Sequence, residues 1–310
     1  MKRALPTVLS VLVLAAAAWL WRDRIDLGTV GGRLARLDPA LAALALALYL
    51  SFSPLNAARL KSVAGWVADA SLPYLALLRV TCIGQFVAVV APVGLLGDAA
   101  RVGLMRPLGG MTWRSSVQAV LCDRASGAVF CACLGAALLP ARMLLGAPAR
   151  ELAIEAAVFL LAAGGAALLA ALQPRHVGPR LWELGGWLTS ALRALFAGPR
   201  RIAAQLGFAA ANVLVTLATL VLLARGMGIP VGALQLLQFV PIIMLVSALP
   251  LLYLGWGGRE MVMVSTVGSL PGVLPADALS LALSVGALAV LAGFPNGLAL
   301  LTGWRPKAQT

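Results

Sequence analysis

The chain has 310 residues, of which 61% are hydrophobic and 11% charged, and its 24 Lys+Arg against 11 Asp+Glu give a net charge of +13. A soluble domain carries about 25% charged residues, so this composition, with a mean hydropathy of +0.96, excludes an ordinary soluble globule and points to a polytopic membrane protein. The basic residues are scattered between apolar segments, which favours positive-inside loops and anionic headgroups over nucleic acid as the partner.

In chain order, "MKR" precedes the apolar stretch "ALPTVLSVLVLAAAAWLW", followed by "RDRID". The small residues admit a cleaved signal peptide. However, the stretch exceeds the usual apolar core of about 7–15 residues, and Trp19 and Trp21 stand where interface anchors belong. The preferred reading is a retained first helix. Further apolar segments run at Pro39–Ala58, Leu75–Val93, Val117–Leu139, Leu152–Leu172, Ile202–Leu223, Leu234–Leu254 and Leu274–Leu301. With the first they make about eight crossings of roughly 20 residues. Hydrocarbon leaves backbone groups no partner but each other, so the expected fold is all-α, a multi-pass bundle in a cell membrane. Frequent Gly and Pro between segments leave the count open by one.

The longest polar stretch spans 173–201. Within it Leu181, Leu184, Leu188, Leu192 and Leu195 recur at spacings of three and four, with Glu183, Ser190 and Arg193 elsewhere around the helix. This pattern predicts an amphipathic surface helix. It joins two halves of one transmembrane domain, 1–172 and 202–310. Arg175, Arg180, Arg193, Arg200 and Arg201 argue for its cytoplasmic placement, yet five plain crossings from a cytoplasmic Lys2 and Arg3 would put it outside. One extra or missing crossing would repair the parity, and a re-entrant segment is the natural candidate for the ambiguity.

Four charged islands interrupt the apolar segments: Arg79; Asp98 with Arg101; Asp123 with Arg124; and Arg259 with Glu260. An ion at mid-membrane costs roughly 2.5–3.5 kcal/mol on insertion scales, so such groups imply a partner or a purpose. Asp98 and Arg101 share a helix face and can neutralise each other. Arg259 and Glu260 are adjacent and are expected to point apart. Three acids face four arginines, leaving one positive charge that a phosphate-bearing ligand would match through the planar donor fork of Arg. The plainer alternative is that some of these arginines snorkel to headgroups.

Glycine and proline gather at two islands: Pro92, Gly94 and Gly97 before Asp98, and Pro250, Gly255, Gly257 and Gly258 before Arg259. Both read as apolar helix, proline, glycines, then charge, about half the chain apart. Interrupted segments in corresponding positions suggest an inverted repeat with two broken or re-entrant helices. Their exposed N-termini would favour an anionic group. Two unrelated glycine-rich turns are the alternative. Cys82, Cys122, Cys131 and Cys133 lie in apolar runs, and the one histidine, His176, is distant. Neither a metal site nor a disulfide framework is expected, and no cofactor is implied.

These residues carry a resemblance. Gly84 and Phe86, Pro92, Gly97-Asp98-Ala99-Ala100-Arg101 and Asp123-Arg124, followed by Pro250 and Gly255-Trp256-Gly257-Gly258-Arg259-Glu260, resemble the transmembrane flippase domain of lysylphosphatidylglycerol synthases. That domain also occurs in the multiple peptide resistance factors and in stand-alone membrane proteins, and the likeness covers about Ala57 to Leu301. The chain departs from the pattern at Asp123, usually Glu; at Gly127, commonly acidic; and at Leu251–Leu254, where a small polar residue is frequent. The resemblance implies a lipid flippase-like transporter, not an enzyme, in the bacterial cytoplasmic membrane. It would move a phospholipid or a polyprenyl-linked or hopanoid lipid between leaflets, with a lipid-synthesising enzyme as a possible partner. The aminoacyl-transferase domain of longer members is expected to be absent, as the chain ends at "GWRPKAQT". The expected mechanism is a single polar cavity lined by Asp98, Arg101, Asp123, Arg124, Arg259, Glu260 and Arg79. The competing readings are a membrane enzyme acting on a lipid phosphate, for which no carboxylate cluster or nucleophile–base pair stands out, and a non-transporting partner of a lipid-modifying complex. No Walker A sequence is present to couple ATP directly.

Overall fold

The computed structural model describes residues 25–69, 71–91, 95–144, 147–171, 186, 189, 193–248 and 258–301. Every regular element among them is helical. In chain order these are α1 (Leu27–Ala35), α2 (Pro39–Leu50), α3 (Phe52–Ala68), α4 (Tyr74–Val90), α5 (Leu95–Met105), α6 (Trp113–Leu144), α7 (Ala149–Ala171), α8 (Pro199–Gly226), α9 (Ala233–Leu237), α10 (Val240–Ala248), α11 (Gly258–Thr266) and α12 (Pro275–Gly297). Short 3-10 turns follow α11 and α12.

Four stretches among the described residues are long and apolar enough to cross a membrane: Pro39–Ala68, Trp113–Leu144, Pro199–Gly226 and Pro275–Leu300, with Tyr74–Val90 a shorter apolar helix. The protein is thus an all-α integral membrane protein. The expected first helix, most of the expected surface helix and the breaks at Pro92, Gly94, Pro250, Gly255 and Gly257 lie outside the described residues. Helices flank both breaks: α4 ends at Val90 and α5 begins at Leu95, while α10 ends at Ala248 and α11 begins at Gly258.

The chain forms two compact units. The first comprises 1–52, 82–98 and 213–301; the second comprises 53–81, 99–212 and 302–310. Each draws on both sequence halves.

In the first unit the caps are written locally. The carboxylate of Asp26 accepts from the Gly28 and Thr29 N–H groups at the start of α1. The Thr29 hydroxyl, then those N–H groups, hold its carboxyl below the usual range. Asp38 accepts from the N–H groups of Ala40 (2.8 Å) and Leu41 (3.0 Å), and Pro39 stands at the first position of α2, where a missing N–H costs nothing. Helix α12 is the centre of the unit and packs against α11, α1 and α2. Its buried face includes Ala278, Leu281, Ala282 and Leu288. Arg33 of α1 ties three parts together: its Nε donates to Asp277 of α12 (2.7 Å), and its Nη1 donates to the carbonyls of Met227 (3.3 Å) and Gly228 (3.0 Å) beyond the end of α8. Gly228, at φ +64, supplies the left-handed turn that ends that helix.

Lipid tails are as apolar as leucine, so helices in a membrane associate through close packing rather than hydrophobic expulsion. Gly97, in the first turn of α5, shows this. A Cβ there would lie 2.5 Å from the Gly84 carbonyl oxygen and 2.7 Å from the Ala88 Cβ of α4. Its role is close approach of two helices as well as position after a break. On the same stretch of α4, Phe86 packs against Gly297, and Gln85 accepts from the Asn296 amide of α12 (2.8 Å).

In the second unit the apolar centre gathers Leu60 and Ala64 of α3, Leu77 and Val80 of α4, Val102 and Met105 of α5, and Ala119 and Val120 of α6. Val63, Cys122 and Leu195 form a smaller cluster beside Trp66. Leu195 is the member of the expected amphipathic leucine set that lies in the described region, and it is fully buried. Helices α6 and α7 form a hairpin in which Gly135 faces the ring of Phe159, with no room for a Cβ. At the hairpin end Arg142 donates to Glu155 and lies 3.9 Å from Glu151.

The Gly135→Ala substitution is expected to destabilise the detergent-solubilised protein by about 1–3 kcal/mol, the usual cost of overpacking. Adding Phe159→Leu should recover part of the loss in Tm. A Gly135→Ala protein as stable as the wild type would show that the two helices are not held at this distance.

Candidate functional site

The second unit carries the densest group of buried charge around Asp123. This residue lies well inside α6, a 32-residue crossing helix, and its side chain is 2% exposed. Its Oδ1 accepts from Arg59 Nε at 2.6 Å, and its Oδ2 lies 4.0 Å from Arg101 Nη1. Arg124 follows it in sequence and is half-buried. The three guanidinium groups come from three helices, α3, α5 and α6, so no local segment can form the cluster alone. Asp123 hydrogen-bonds the guanidinium of Arg59 and lies near those of Arg101 and Arg124. Space at Gly127, one turn on along α6, is filled from the side by Arg59, whose Nη1 lies 3.2 Å from where a Cβ would stand.

The structure therefore brings Arg101, Asp123 and Arg124 together and adds Arg59, which the sequence reading passed over. The apolar run seemed to end at Ala58, leaving Arg59 as a flanking charge. Helix α3 instead continues to Ala68 and carries Arg59 inside. Its signal was the helical spacing of Arg59 with Val63 and Trp66, which puts the cation on the buried face. Arg79 is half-buried on α4 in the same unit.

In the first unit, Arg259 and Glu260 open α11 behind the buried Gly258. The expectation that they point apart is corrected: Arg259 Nη2 donates to Glu260 Oε1 at 2.6 Å. Adjacent helical positions do diverge at Cβ, but the long arginine side chain curls back when both groups are buried, at 12% and 8% side-chain exposure. Tyr49 of α2 lies within electrostatic reach of Arg259. Asp98 stands half-buried in the first turn of α5, where a carboxylate favours the positive helix end. Asp98, Arg259 and Glu260 thus belong to the first unit, and Arg79, Arg101, Asp123 and Arg124 to the second.

Two further ion pairs were missed, Arg33–Asp277 and Arg142–Glu155. Both sit near helix ends, where a charge in the sequence looks like an ordinary flank. Among the described residues no group of three or more His, Cys, Asp or Glu is placed to hold a metal ion, and the four cysteines are unbridged.

The chemistry open to the Asp123 cluster is anion binding. Guanidinium groups are weakly hydrated, always charged and matched to phosphate in geometry. An anion that met Arg101 or Arg124 would leave the Arg59–Asp123 hydrogen bond in place.

Removing one member of a buried ion pair usually costs about 3–5 kcal/mol, whereas replacing both with apolar groups is often neutral. Arg59→Leu is accordingly expected to lower Tm sharply, and Arg59→Leu with Asp123→Leu to restore most of it. If the single and double variants were equally unstable, the two side chains would not be energetically coupled.

The sequence model of the family described as "Lysylphosphatidylglycerol synthase TM region" matches residues 7–295, a membrane domain associated with lipid-related functions. No curated protein matches the chain.

Proposed function

The chain belongs to the lysylphosphatidylglycerol synthase TM region family, and from that premise we propose that it is a flippase-like transporter moving a phosphate-bearing lipid between leaflets. The observation that carries this reading is the cluster of Arg59, Arg101 and Arg124 around the single carboxylate of Asp123, buried within a membrane protein. Desolvating the headgroup is the main barrier to transbilayer movement. Fixed guanidinium groups would replace the water a phosphate loses, while the acyl or polyprenyl tails stay in hydrocarbon. Hopanoid-type lipids fit this chemistry only where they carry an anionic head.

In this reading Arg59 and Asp123 form the fixed part, and Arg101 and Arg124 contact the phosphate. Movement runs downhill or is coupled to an ion gradient, with Asp98 or Glu260 carrying protons in the coupled case. The protein transports and does not catalyse. It works in a bacterial cytoplasmic membrane beside an enzyme that makes its lipid.

Arg101 tests the assignment, since its contact with Asp123 is long and its loss leaves the Arg59–Asp123 hydrogen bond in place. Purified Arg101→Gln in phospholipid vesicles is expected to move tail-labelled anionic phospholipid roughly tenfold to a hundredfold more slowly per folded protein, the value of a charge-assisted hydrogen bond, with Tm measured alongside to set the folded fraction. Transport at the wild-type rate would remove the phosphate role of the cluster.

A further inference from the structure

Helix α8 is the most hydrophobic of the candidate spans among the described residues, yet it carries Arg201, Gln205, Asn212, Thr216 and Thr219. At 3.6 residues per turn these five lie within about 60° of one another. Ile202, Leu206 and Leu214, on the rest of the circumference, are exposed. Of the five, Gln205, Asn212 and Thr219 are buried.

Two of the buried three are satisfied by their own helix. Asn212 Nδ2 donates to the Phe208 carbonyl (2.9 Å), and Thr219 Oγ1 donates to the Val215 carbonyl (2.8 Å). Gln205 is different. It is 7% exposed, and neither its Oε1 nor its Nε2 has a hydrogen-bond partner among the described residues. A buried amide left this way loses its hydration without compensation, and native proteins keep few such groups. A leucine here would leave no polar atom unpaired, so the amide costs stability where it stands.

Its surroundings belong to the same unit as the Asp123 cluster. One turn before Gln205, the Arg201 guanidinium lies 5.8 Å over the ring of Trp66, and its Nη1 donates to the Ala194 carbonyl. Trp66 packs beside Val63 and Cys122, the near neighbours of Arg59 and Asp123 on α3 and α6. Thr81 of α4 and Ser116 of α6, in this unit too, also have buried hydroxyls without partners among the described residues.

We propose that Gln205 is a specificity-determining contact that reads a hydroxyl group on the headgroup of the transported lipid. This rests on the transport reading above and narrows its substrate class. A bare phosphate accepts but does not donate, so it would satisfy Nε2 and leave Oε1 bare. A hydroxyl does both and answers the whole amide. The Arg cluster recognises the phosphate, and Gln205 selects a headgroup that also carries alcohols over one that does not.

The test uses two tail-labelled probes of equal charge, phosphatidylglycerol with its hydroxyls and phosphatidylethanol without them, as trace components of phosphatidylcholine vesicles holding the full-length protein. The wild type is expected to move the glycerol-headed probe roughly three- to tenfold faster, the range of one net hydrogen bond. Gln205→Leu should erase that preference by slowing this probe alone. It should also hold or raise Tm in detergent, because it removes an unpartnered buried amide. Equal movement of both probes by the wild type overturns the role of Gln205 and leaves the transport reading standing. A fall in Tm of several degrees for Gln205→Leu overturns it too, as the amide would then have a partner within the protein. If the wild type moves neither probe, the transport reading fails. Mass spectrometry of delipidated protein reloaded with both lipids then decides: retention of the glycerol-headed lipid by the wild type but not by Gln205→Leu supports the hydroxyl contact, and equal retention removes it.

Discussion

Hydrocarbon offers a carboxylate or a guanidinium no water, so each ion buried in this chain must be neutralised by a neighbour within reach of its side chain. That requirement places Arg33 against Asp277, Arg59 against Asp123, Arg142 against Glu155 and Arg259 against Glu260. In the first three the partners come from different helices, so each pair also sets the register of two helices within its unit. The pairs differ in how completely they are satisfied. Asp277 uses one oxygen on Arg33 and the other on the Leu274 N–H, while Arg33 Nη1 donates to the carbonyls of Met227 and Gly228 just past α8. That is a structural clamp, closed on both sides. Asp123 holds Arg59 by one oxygen, while its other is 4.0 Å from Arg101, too long for a hydrogen bond. The long Arg101–Asp123 separation sets this cluster apart from that clamp.

Such pairs need helices close enough to meet, and glycine provides the approach. Gly97 lets α5 lie against the backbone of α4 at Gly84, and Gly135 lets α7 seat Phe159 on α6. Farther along that same hairpin Arg142 reaches Glu155. Close packing and charge pairing are thus complementary: contact between small residues brings the backbones together, and the pair at the hairpin end opposes sliding. Leucine in place of these glycines would separate the helices and strand the ions.

Much of this was legible in the sequence, for reasons that are physical. Long apolar runs admit one backbone solution in lipid, so the helical class and the positions of α4, α6, α7, α8 and α12 followed from hydropathy. The family resemblance carried by Gly97-Asp98-Ala99-Ala100-Arg101 and Arg259-Glu260 agrees with the family to which the chain belongs. Within the candidate site, Arg101, Asp123 and Arg124 were readable as charges in oil, but their principal partner was not. Arg59 sits where Asn56, Arg59 and Lys61 make the sequence look like the end of a span, and only the continuation of α3 to Ala68 makes it interior. Asp277 and Arg142 were hidden the same way, close to a helix start and a helix end. The mutual pairing of Arg259 and Glu260 was missed because the helical rule concerns Cβ directions, whereas a guanidinium stands several bonds farther out. Gln205 left no trace: a single glutamine in an apolar run has no pattern, and its lack of partners exists only in three dimensions.

The helices of the second unit share a division that bears on what they can carry. α8 shows Leu206 outward and buries Gln205; α7 exposes Leu160 and Leu161 and buries Glu155; α6 exposes Leu121 and buries Asp123 two positions on. Each has an apolar face suited to hydrocarbon and a polar face turned away from it. A lipid is divided in the same way, between tails that prefer the outer environment and a head that needs the inner one. A small soluble anion would satisfy the inner charges and gain nothing from the outer faces, whereas a lipid gains from both. Buried polar and charged side chains and exposed leucines thus occur together on each of these helices, the division an amphiphile would match on both sides.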